Sequence, residues 1–307
     1  MKKRRIGSLE VSLVGLGCNN FGWGLDEAAS ARVIHAALDA GITLFDTADI
    51  YGGTKSEEFL GRTLATHRRS VVLATKFGMK VDDARQGARP EYVRRAAEDS
   101  LRRLGTDCID LYQLHQPDPT VPIADTLGAL DDLVRAGKVR EIGCSNFSAS
   151  QIRDARAGAG AGAAQFVCVQ NELSLFVREP EREVLPECDR LGLAFLPYFP
   201  LASGLLTGKY KRGQPAPEGT RLSQSWAAGR FLSEARLDVV DRLAAFAQSR
   251  SRSLLELSMS WLTSNRTIAS VIAGATSPEQ VRQNAVAASW TLTDADRAEI
   301  DTIAPRT

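Results

Sequence analysis

The stretch ITLFDTADIYGG, Ile42–Gly53, carries an apolar, β-branched start into Asp46, places Tyr51 five residues further on and ends in two glycines. It is strand-length, and its polar end uses residues at home in turns, so it predicts a β-strand opening into a loop. Taken alone, Asp46 also fits a helix cap or turn residue, and Tyr51 a packing aromatic. The surrounding chain decides between these readings.

Working outward, the same kind of run recurs: SLVGLG (12–17), SVVLATK (70–76), CIDLYQLH (108–115), VREIGCS (139–145), FVCVQNE (166–172), LAFLPY (193–198) and IASVIAG (268–274). None alternates cleanly between apolar and polar. Strands that read apolar on both faces belong to parallel sheets covered by helices. Helical patterns fall between them. DEAASARVIHAALDAG (26–41) starts with an acidic cap and ends at Gly41, with Val33, Ala37 and Ala40 on one face. SEEFLGRTLATH (56–67) follows the YGG loop. RPEYVRRAAEDSLRRLG (89–105) and VPIADTLGALDDLVRAG (121–137) both have proline near the start and glycine past the end; the second carries Ile123, Leu127, Leu130 and Val134 on one stripe. EPEREVLPECDRLG (179–192) precedes the seventh run, and SPEQVRQNAVAAS (277–289) follows the eighth.

Eight strand–helix units in 307 residues predict an α/β chain forming a (β/α)8 TIM barrel, one domain spanning 1–307. A doubly wound sheet is the alternative, but no GxGxxG joins a strand to a helix. KKRRIGSLEVSL (2–13) predicts an N-terminal β-hairpin plugging the bottom of the barrel. RAGAGAGAAQ (156–165) reads as a connector. A long loop after strand 7, from Tyr198 to about Ile268, holds LASGLLTGKYKRGQPAPEGTRLSQSW and then helices. Its place after a strand's C-terminal end puts it on the catalytic face.

Composition narrows the function. A net charge of +1 gives no electrostatic case for nucleic acid or an anionic membrane. The basic start lacks the apolar run of a signal peptide, and no segment reaches membrane-span length, so a cytoplasmic location is expected. Cys18, Cys108, Cys144, Cys168 and Cys188 form no CxxC and read as buried free thiols. His35, His67 and His115 do not cluster with carboxylates, so no metal is expected. A monomer is the default expectation.

The strand ends concentrate the polar residues: Asp46 with Tyr51 in its loop, Lys76, His115, Ser145 and Asn146, Gln170 and Asn171, and Tyr198. Each alone fits an ordinary solvated, structural or capping role. In a barrel they converge on one rim.

At this point the chain resembles the aldo-keto reductases over nearly its whole length. GLGCNNFG, FDTADIYGG with SEEFLGRTL, ATKFG, DLYQLHQPD, GKVREIGCSNF, QNELSL, LASGLLTGKY and GATSPEQVRQN carry the likeness by their order and spacing. The resemblance implies a catalytic tetrad of Asp46, Tyr51, Lys76 and His115. The chemistry is coherent: a free phenol titrates near 10, and an ammonium beside it stabilises the phenolate. Lys76 can supply that charge with Asp46 holding it, Tyr51 can act as general acid or base, and His115 can polarise a carbonyl oxygen.

The resemblance also implies an extended nicotinamide dinucleotide. Ser145, Asn146 and Gln170 would hold its amide and Tyr198 would stack on the ring. Leu201, Ser203 and Lys209 match phosphate-holding positions, and Gly274, Thr276, Gln280, Gln283 and Asn284 match the adenosine end, where a helix N-terminus suits an anion. Three departures stand out. Phe199 replaces a small serine, Gln280 an arginine, and Ser277 a basic residue. Arg221 matches an arginine that reaches the 2′-phosphate in one branch, with Lys209 and Arg282 as further candidates, so NADP(H) is expected and NAD(H) stays open.

The expected activity is reduction of small aldehydes and ketones to alcohols. Two alternatives are an NAD(P)-dependent aldose or alcohol dehydrogenase running oxidatively, and a cofactor-sensing channel subunit. The channel subunits resembled commonly lack the histidine present here as His115. Phe21, Trp23, Phe77, Gln116, Phe176 and Trp226 are candidates for an aromatic pocket.

Overall fold

The computed structural model describes residues 1–223 and 225–306, with the side chains at 225 and 226 outside the description. The chain opens with β1 (Lys3–Ile6) and β2 (Leu9–Ser12), an antiparallel hairpin in register Lys3–Ser12 to Ile6–Leu9. Then come β3 (Val14–Gly17), α1 (Glu27–Asp39), β4 (Leu44–Asp46), α2 (Lys55–Leu64), β5 (Val72–Phe77), α3 (Pro90–Leu104), β6 (Ile109–Leu114) and α4 (Ile123–Arg135). They are followed by β7 (Val139–Ser145), α5 (Ala149–Gly158), β8 (Phe166–Gln170), α6 (Val184–Leu191) and β9 (Ala194–Phe195). After a long excursion holding α7 (Ser225–Phe231), α8 (Glu234–Gln248) and α9 (Leu254–Ser264), the chain ends with β10 (Val271–Gly274), α10 (Pro278–Ala287) and α11 (Asp294–Ile303).

Eight strands form one parallel sheet in the order β10-β3-β4-β5-β6-β7-β8-β9. Its two ends meet through single bridges, Phe195 to Ile268 and Tyr198 to Ile272. Phe195 N donates to Thr267 O at 2.8 Å and Ile272 N to Pro197 O at 2.9 Å. The sheet therefore closes as the expected (β/α)8 barrel. Its seam is sparse because β9 pairs over two residues only, and Pro197 has no N–H to extend it.

Side chains sort by the two-residue period of a strand. Leu44, Val72, Ala74, Leu111, Cys168 and Ile272 fill the barrel interior together with Ile6, Leu9 and Val11 of the hairpin. The hairpin thus plugs the interior, as its sequence predicts, and Arg4 fixes it by donating to Thr263 O and Asn265 O, both at 2.7 Å. Phe45, Leu73, Tyr112, Leu114 and Val169 face outward against the helices. Gly105 ends α3 in the left-handed conformation, where its neighbours' backbone closes the helix.

Three expectations are corrected. The connector at 156–165 begins inside a helix: Arg156–Gly158 belong to α5, started by a capping box of Ser148 and Gln151. The helical pattern at 179–192 splits into a 3-10 turn, Glu179–Glu181, and α6 from Val184. Only Ala194–Phe195 of the seventh run form a continuous strand, and Tyr198 pairs separately through single bridges. All five cysteines are free, four of them buried as expected and Cys108 only partly so. No group of three or more His, Cys, Asp or Glu among the described residues could hold a metal. No helix among the described residues is long and apolar enough to cross a membrane.

Candidate active site

The C-terminal ends of the strands open into a cleft. Asp46, Tyr51, His115, Ser145, Asn146, Gln170, Tyr198, Arg221 and Gly274 all line it.

β4 ends at Asp46, which is 3% exposed, and β5 carries Lys76, which is 1% exposed. Lys76 Nζ lies 2.7 Å from Asp46 Oδ2 and donates to Thr47 O at 2.8 Å. Asp46 Oδ1 accepts from Gln170 Nε2 at 2.8 Å and from Gln113 Nε2 at 3.3 Å. A buried charge needs this complete a set of partners. Burial works against the Lys76 ammonium, yet Asp46 and then Tyr51 outweigh it and hold its pKa above the ordinary lysine value.

The loop after β4 turns back through Gly52 and Gly53, both at φ +63°. A Cβ on Gly52 would sit 2.3 Å from Phe21 O, so only glycine lets the two loops touch. This brings the Tyr51 ring 5.2 Å from Lys76 Nζ. The His115 ring stands edge-on to it at 5.7 Å, and Trp23 lies 6.0 Å away on the solvent side. Burial raises the Tyr51 pKa above that of a free phenol. Lys76 pulls it down and Asp46 pushes it up, and the net direction is upward. The expected lowering by the ammonium is present, but desolvation exceeds it, so the phenol stays protonated at neutral pH. Burial, and then Lys76, hold His115 well below the usual imidazole range. It is therefore neutral, and its buried Nδ1 has no hydrogen-bond partner.

Beside these groups, Ser145 Oγ donates to Gln170 O at 2.7 Å, and Asn146 Nδ2 donates to His115 O at 2.9 Å. Asn146 sits at φ +63°, and its Oδ1 accepts from Tyr198 Oη at 2.7 Å. Gln170 commits one Nε2 hydrogen to Asp46, which leaves its second N–H and Oε1 for a ligand. Phe199, in place of a small residue, occupies φ +49°. Its ring packs edge-on to Tyr198 at 5.4 Å, with the Arg221 guanidinium 5.3 Å from its centre.

Arg221 reaches across the cleft mouth, donating to Asn20 Oδ1 at 2.6 Å and Asn19 Oδ1 at 3.5 Å. Asn20 Nδ2 donates onward to Ala275 O at 3.5 Å. Arg221 is thus one side chain removed from the 274–284 segment. In that segment Thr276 N donates to Gln280 Oε1 at 2.8 Å, Gln283 Nε2 to Glu279 Oε1 at 3.0 Å, and Asn284 Nδ2 to Gly274 O at 3.5 Å. Ser277 caps α10, accepting from Gln280 N. Arg282 pairs with Glu279 at 3.4 Å. Leu201 and Ser203 lie in the turn after Tyr198; Ser203 Oγ is buried and unpartnered, and Lys209 is exposed with Nζ over the Tyr210 ring. A cleft lined by a flat tyrosine, amide groups and an arginine fits the polarity of a nicotinamide dinucleotide.

Of the aromatic candidates, Phe21 and Phe77 are fully buried packing residues, whereas Trp23 is 62% exposed. Phe176 packs under Arg236, and Gln116 is exposed. Trp226 lies outside the described side chains. Sequence reasoning missed Asn19, Met79 and Cys18 in the cleft wall. It also missed a buried group behind β5. There Asp49 accepts from Tyr92 Oη at 3.3 Å, and Glu57 accepts from Thr75 Oγ1 at 2.5 Å and pairs with Arg103 at 2.6 Å.

A barrel whose strand ends gather an ion-paired lysine, a tyrosine and a histidine defines a class of oxidoreductase, and comparison with known proteins agrees. The profile of the Aldo/keto reductase family matches residues 13–305, and the chain belongs to that family. It is 37% identical to Aldo-keto reductase YhdN of Bacillus subtilis (strain 168), over 97% of this chain and 92% of that protein. Among solved structures it resembles the glycerol dehydrogenase AKR11B4 from Gluconobacter oxydans, with a TM-score of 0.85, 34% identity, and 98% and 94% of the two chains covered. It also resembles aldo-keto reductase AKR11C1 from Bacillus halodurans in its holo form, with a TM-score of 0.83, 32% identity, and 99% and 96% covered. The protein is an oxidoreductase enzyme, and its family works with nicotinamide cofactors.

Proposed function

We infer that this enzyme reduces small aldehydes and ketones to alcohols with NADP(H). The observation that carries the reading is the buried Lys76–Asp46 pair set against the Tyr51 phenol, with neutral His115 on the other side. The cofactor supplies the hydride when bound. Tyr51 Oη holds the proton and gives it to the carbonyl oxygen as charge develops there. Lys76 stabilises the phenolate left behind, and Asp46 keeps Lys76 in place. One ring N–H of His115 donates to the same oxygen, orienting it. Ser145, Asn146 and Gln170 fit the nicotinamide amide, Tyr198 its ring, and Leu201, Ser203, Lys209 and Arg221 the phosphates. Gly274, Thr276, Gln280, Gln283 and Asn284 fit the adenosine end at the α10 N-terminus. The whole of 1–307 acts as one barrel domain, a cytoplasmic monomer, and its free thiols suit a reducing compartment.

One observation favours a second reading, oxidation of an alcohol with NAD(H). Gln280 and Arg282 are tied within their own helix turn, and one structural relative is described as a glycerol dehydrogenase. The deciding experiment follows cofactor oxidation with an activated aromatic aldehyde, NADPH and NADH in parallel. Tyr51→Phe should lower kcat by at least about a hundredfold while cofactor still binds; a folded, fully active Tyr51→Phe enzyme overturns the reading. Arg221→Ala should lower the preference for NADPH over NADH by roughly tenfold, the loss of one charge-assisted contact. An unchanged preference removes Arg221 from that role.

A further inference from the structure

Gln113 belongs to no part of the proposed catalytic set, yet it is the polar residue most deeply built into it. It stands on β6, two positions after Leu111, so both point into the barrel interior. Its amide is fully buried, at 0% exposed, in the barrel interior that Leu111, Cys168 and Ile272 also occupy. An amide placed there without partners costs more than any apolar residue of the same volume. Gln113 has a specific one: Nε2 donates to Asp46 Oδ1 at 3.3 Å. Its Oε1 faces Cys168 Sγ at 3.9 Å.

The neighbouring strand makes room for this side chain. Gly143 of β7 pairs with Gln113, and a Cβ at 143 would lie 2.5 Å from Cys168 Sγ and 3.3 Å from Gln113 Cγ. One strand thus omits its side chain where Gln113 crosses toward Asp46.

We propose that Gln113 is a positioning residue, whose amide fixes Asp46 Oδ1 so that Oδ2 stays on Lys76 Nζ and Lys76 stays against Tyr51. The proposal rests on the catalytic reading above. The Asp46 carboxylate meets Lys76 from β5, Gln113 from β6 and Gln170 from β8, with Tyr51, Cys18 and Cys168 the nearby titratable groups. Gln170 also holds Asp46 Oδ1 but lines the cleft, where a ligand can compete for its amide, whereas Gln113 is sealed from the cleft. Gln113 is therefore the donor to Asp46 Oδ1 that lies out of a ligand's reach.

The test compares Gln113→Met, which keeps the length and removes the donor, with wild type and Tyr51→Phe. Gln113→Met should lower kcat by about tenfold, the kinetic equivalent of one hydrogen bond to a charged group, while KM for the aldehyde and the cofactor Kd stay within about twofold. The carboxylate then presents more unshared negative charge to Tyr51, so the alkaline limb of the kcat/KM profile should move to higher pH. A packing role alone would not move that limb. Should Gln113→Met not fold, Gln113→Glu keeps the shape and donates only while protonated, so its activity should fall earlier than wild type as pH rises. The proposal is overturned by a folded Gln113→Met enzyme with wild-type kcat and an unshifted profile, or by a Gln113→Glu profile superimposable on wild type. If Tyr51→Phe is also fully active, the catalytic reading itself has failed; if Tyr51→Phe is inactive, only the role of Gln113 has.

Discussion

Replacing Asp49 with asparagine exchanges one oxygen for an NH2 group, yet it should stabilise this enzyme in a pH-dependent way. Asp49 is 3% exposed, its Oδ2 accepts from Tyr92, and its Oδ1 has no partner. Burial raises its pKa from 3.8 to about 7, Glu57 adds to the rise, and Arg103 and the Tyr92 hydroxyl oppose it. Below pH 3.8 the carboxyl is protonated in both folded and unfolded chains, and the shift costs nothing. Between there and about 7 the unfolded chain releases the proton while the folded chain keeps it. Wild-type stability then falls by about 1.4 kcal/mol for each pH unit. Across the interval from 3.8 to about 7 this amounts to about 4 kcal/mol, after which the loss is constant. The asparagine side chain carries no titrating proton, so Asp49→Asn escapes the whole term while its oxygen still accepts from Tyr92. Denaturation followed at about pH 5 and about pH 8 should show the variant gaining on wild type. A gap opening by roughly 2 °C per kcal/mol gives several degrees. A difference in Tm that stays flat across this range would refute the assignment of Asp49 as a buried, neutral carboxyl.

Two further outcomes follow from the geometry. Burial, and then Lys76, hold His115 well below the ordinary imidazole pKa of 6.5, so its ring resonances should still show a neutral imidazole at that pH; because only the unfolded chain takes up its proton as pH falls below that ordinary value, His115 removes stability there, and a ring charged at neutral pH would contradict this. Gly52→Ala puts a Cβ onto Phe21 O and Gly22 Cα, both backbone atoms, at φ +63°, and should cost about 2 kcal/mol or more and lower kcat by moving the Tyr51 loop. Gly53→Ala shares that φ but meets no atom within 4 Å, so it should cost about 1 kcal/mol and spare activity; equal effects on Tm and kcat at the two positions would refute the close approach.

Asp46, Lys76, His115, Ser145 and Gln170 were legible in the sequence because each terminates or nearly terminates an apolar run, and parallel strands bring such ends to one rim. Gln113 was not legible, since a polar residue one place inside a run carries no signal of its direction until the register is known. Asp49, Glu57, Thr75 and Arg103 meet only when α2 and α3 pack on β5, a contact no local pattern encodes. The aromatic candidates divided for the same reason: Phe21 and Phe77 face the packed layer, and Trp23 faces solvent. Arg221 was legible as a cation of the long loop, but its destination was not, because the Asn19–Asn20 pair that receives it lies about two hundred residues earlier. The helix α5 was obscured by its Gly/Ala continuation, although its Ser148–Gln151 capping box was a readable start signal.

The seam of the barrel bears on the order of assembly. β3 pairs with β10, so Val14 finds its partner only at Val271, near the far end of the chain. On the other side β10 meets a single bridge from Tyr198 to Ile272, and Phe195 bridges to Ile268 just before it. A growing chain can pair β3 through β9 successively between near neighbours, but it must hold β3 as an open edge until β10 arrives. Closure is then the step of longest chain separation, and it also brings the start of α10 beside the cleft. Chains cut short before Val271 are therefore expected to keep much of the sheet, lack the completed cleft, and associate through the exposed edge of β3.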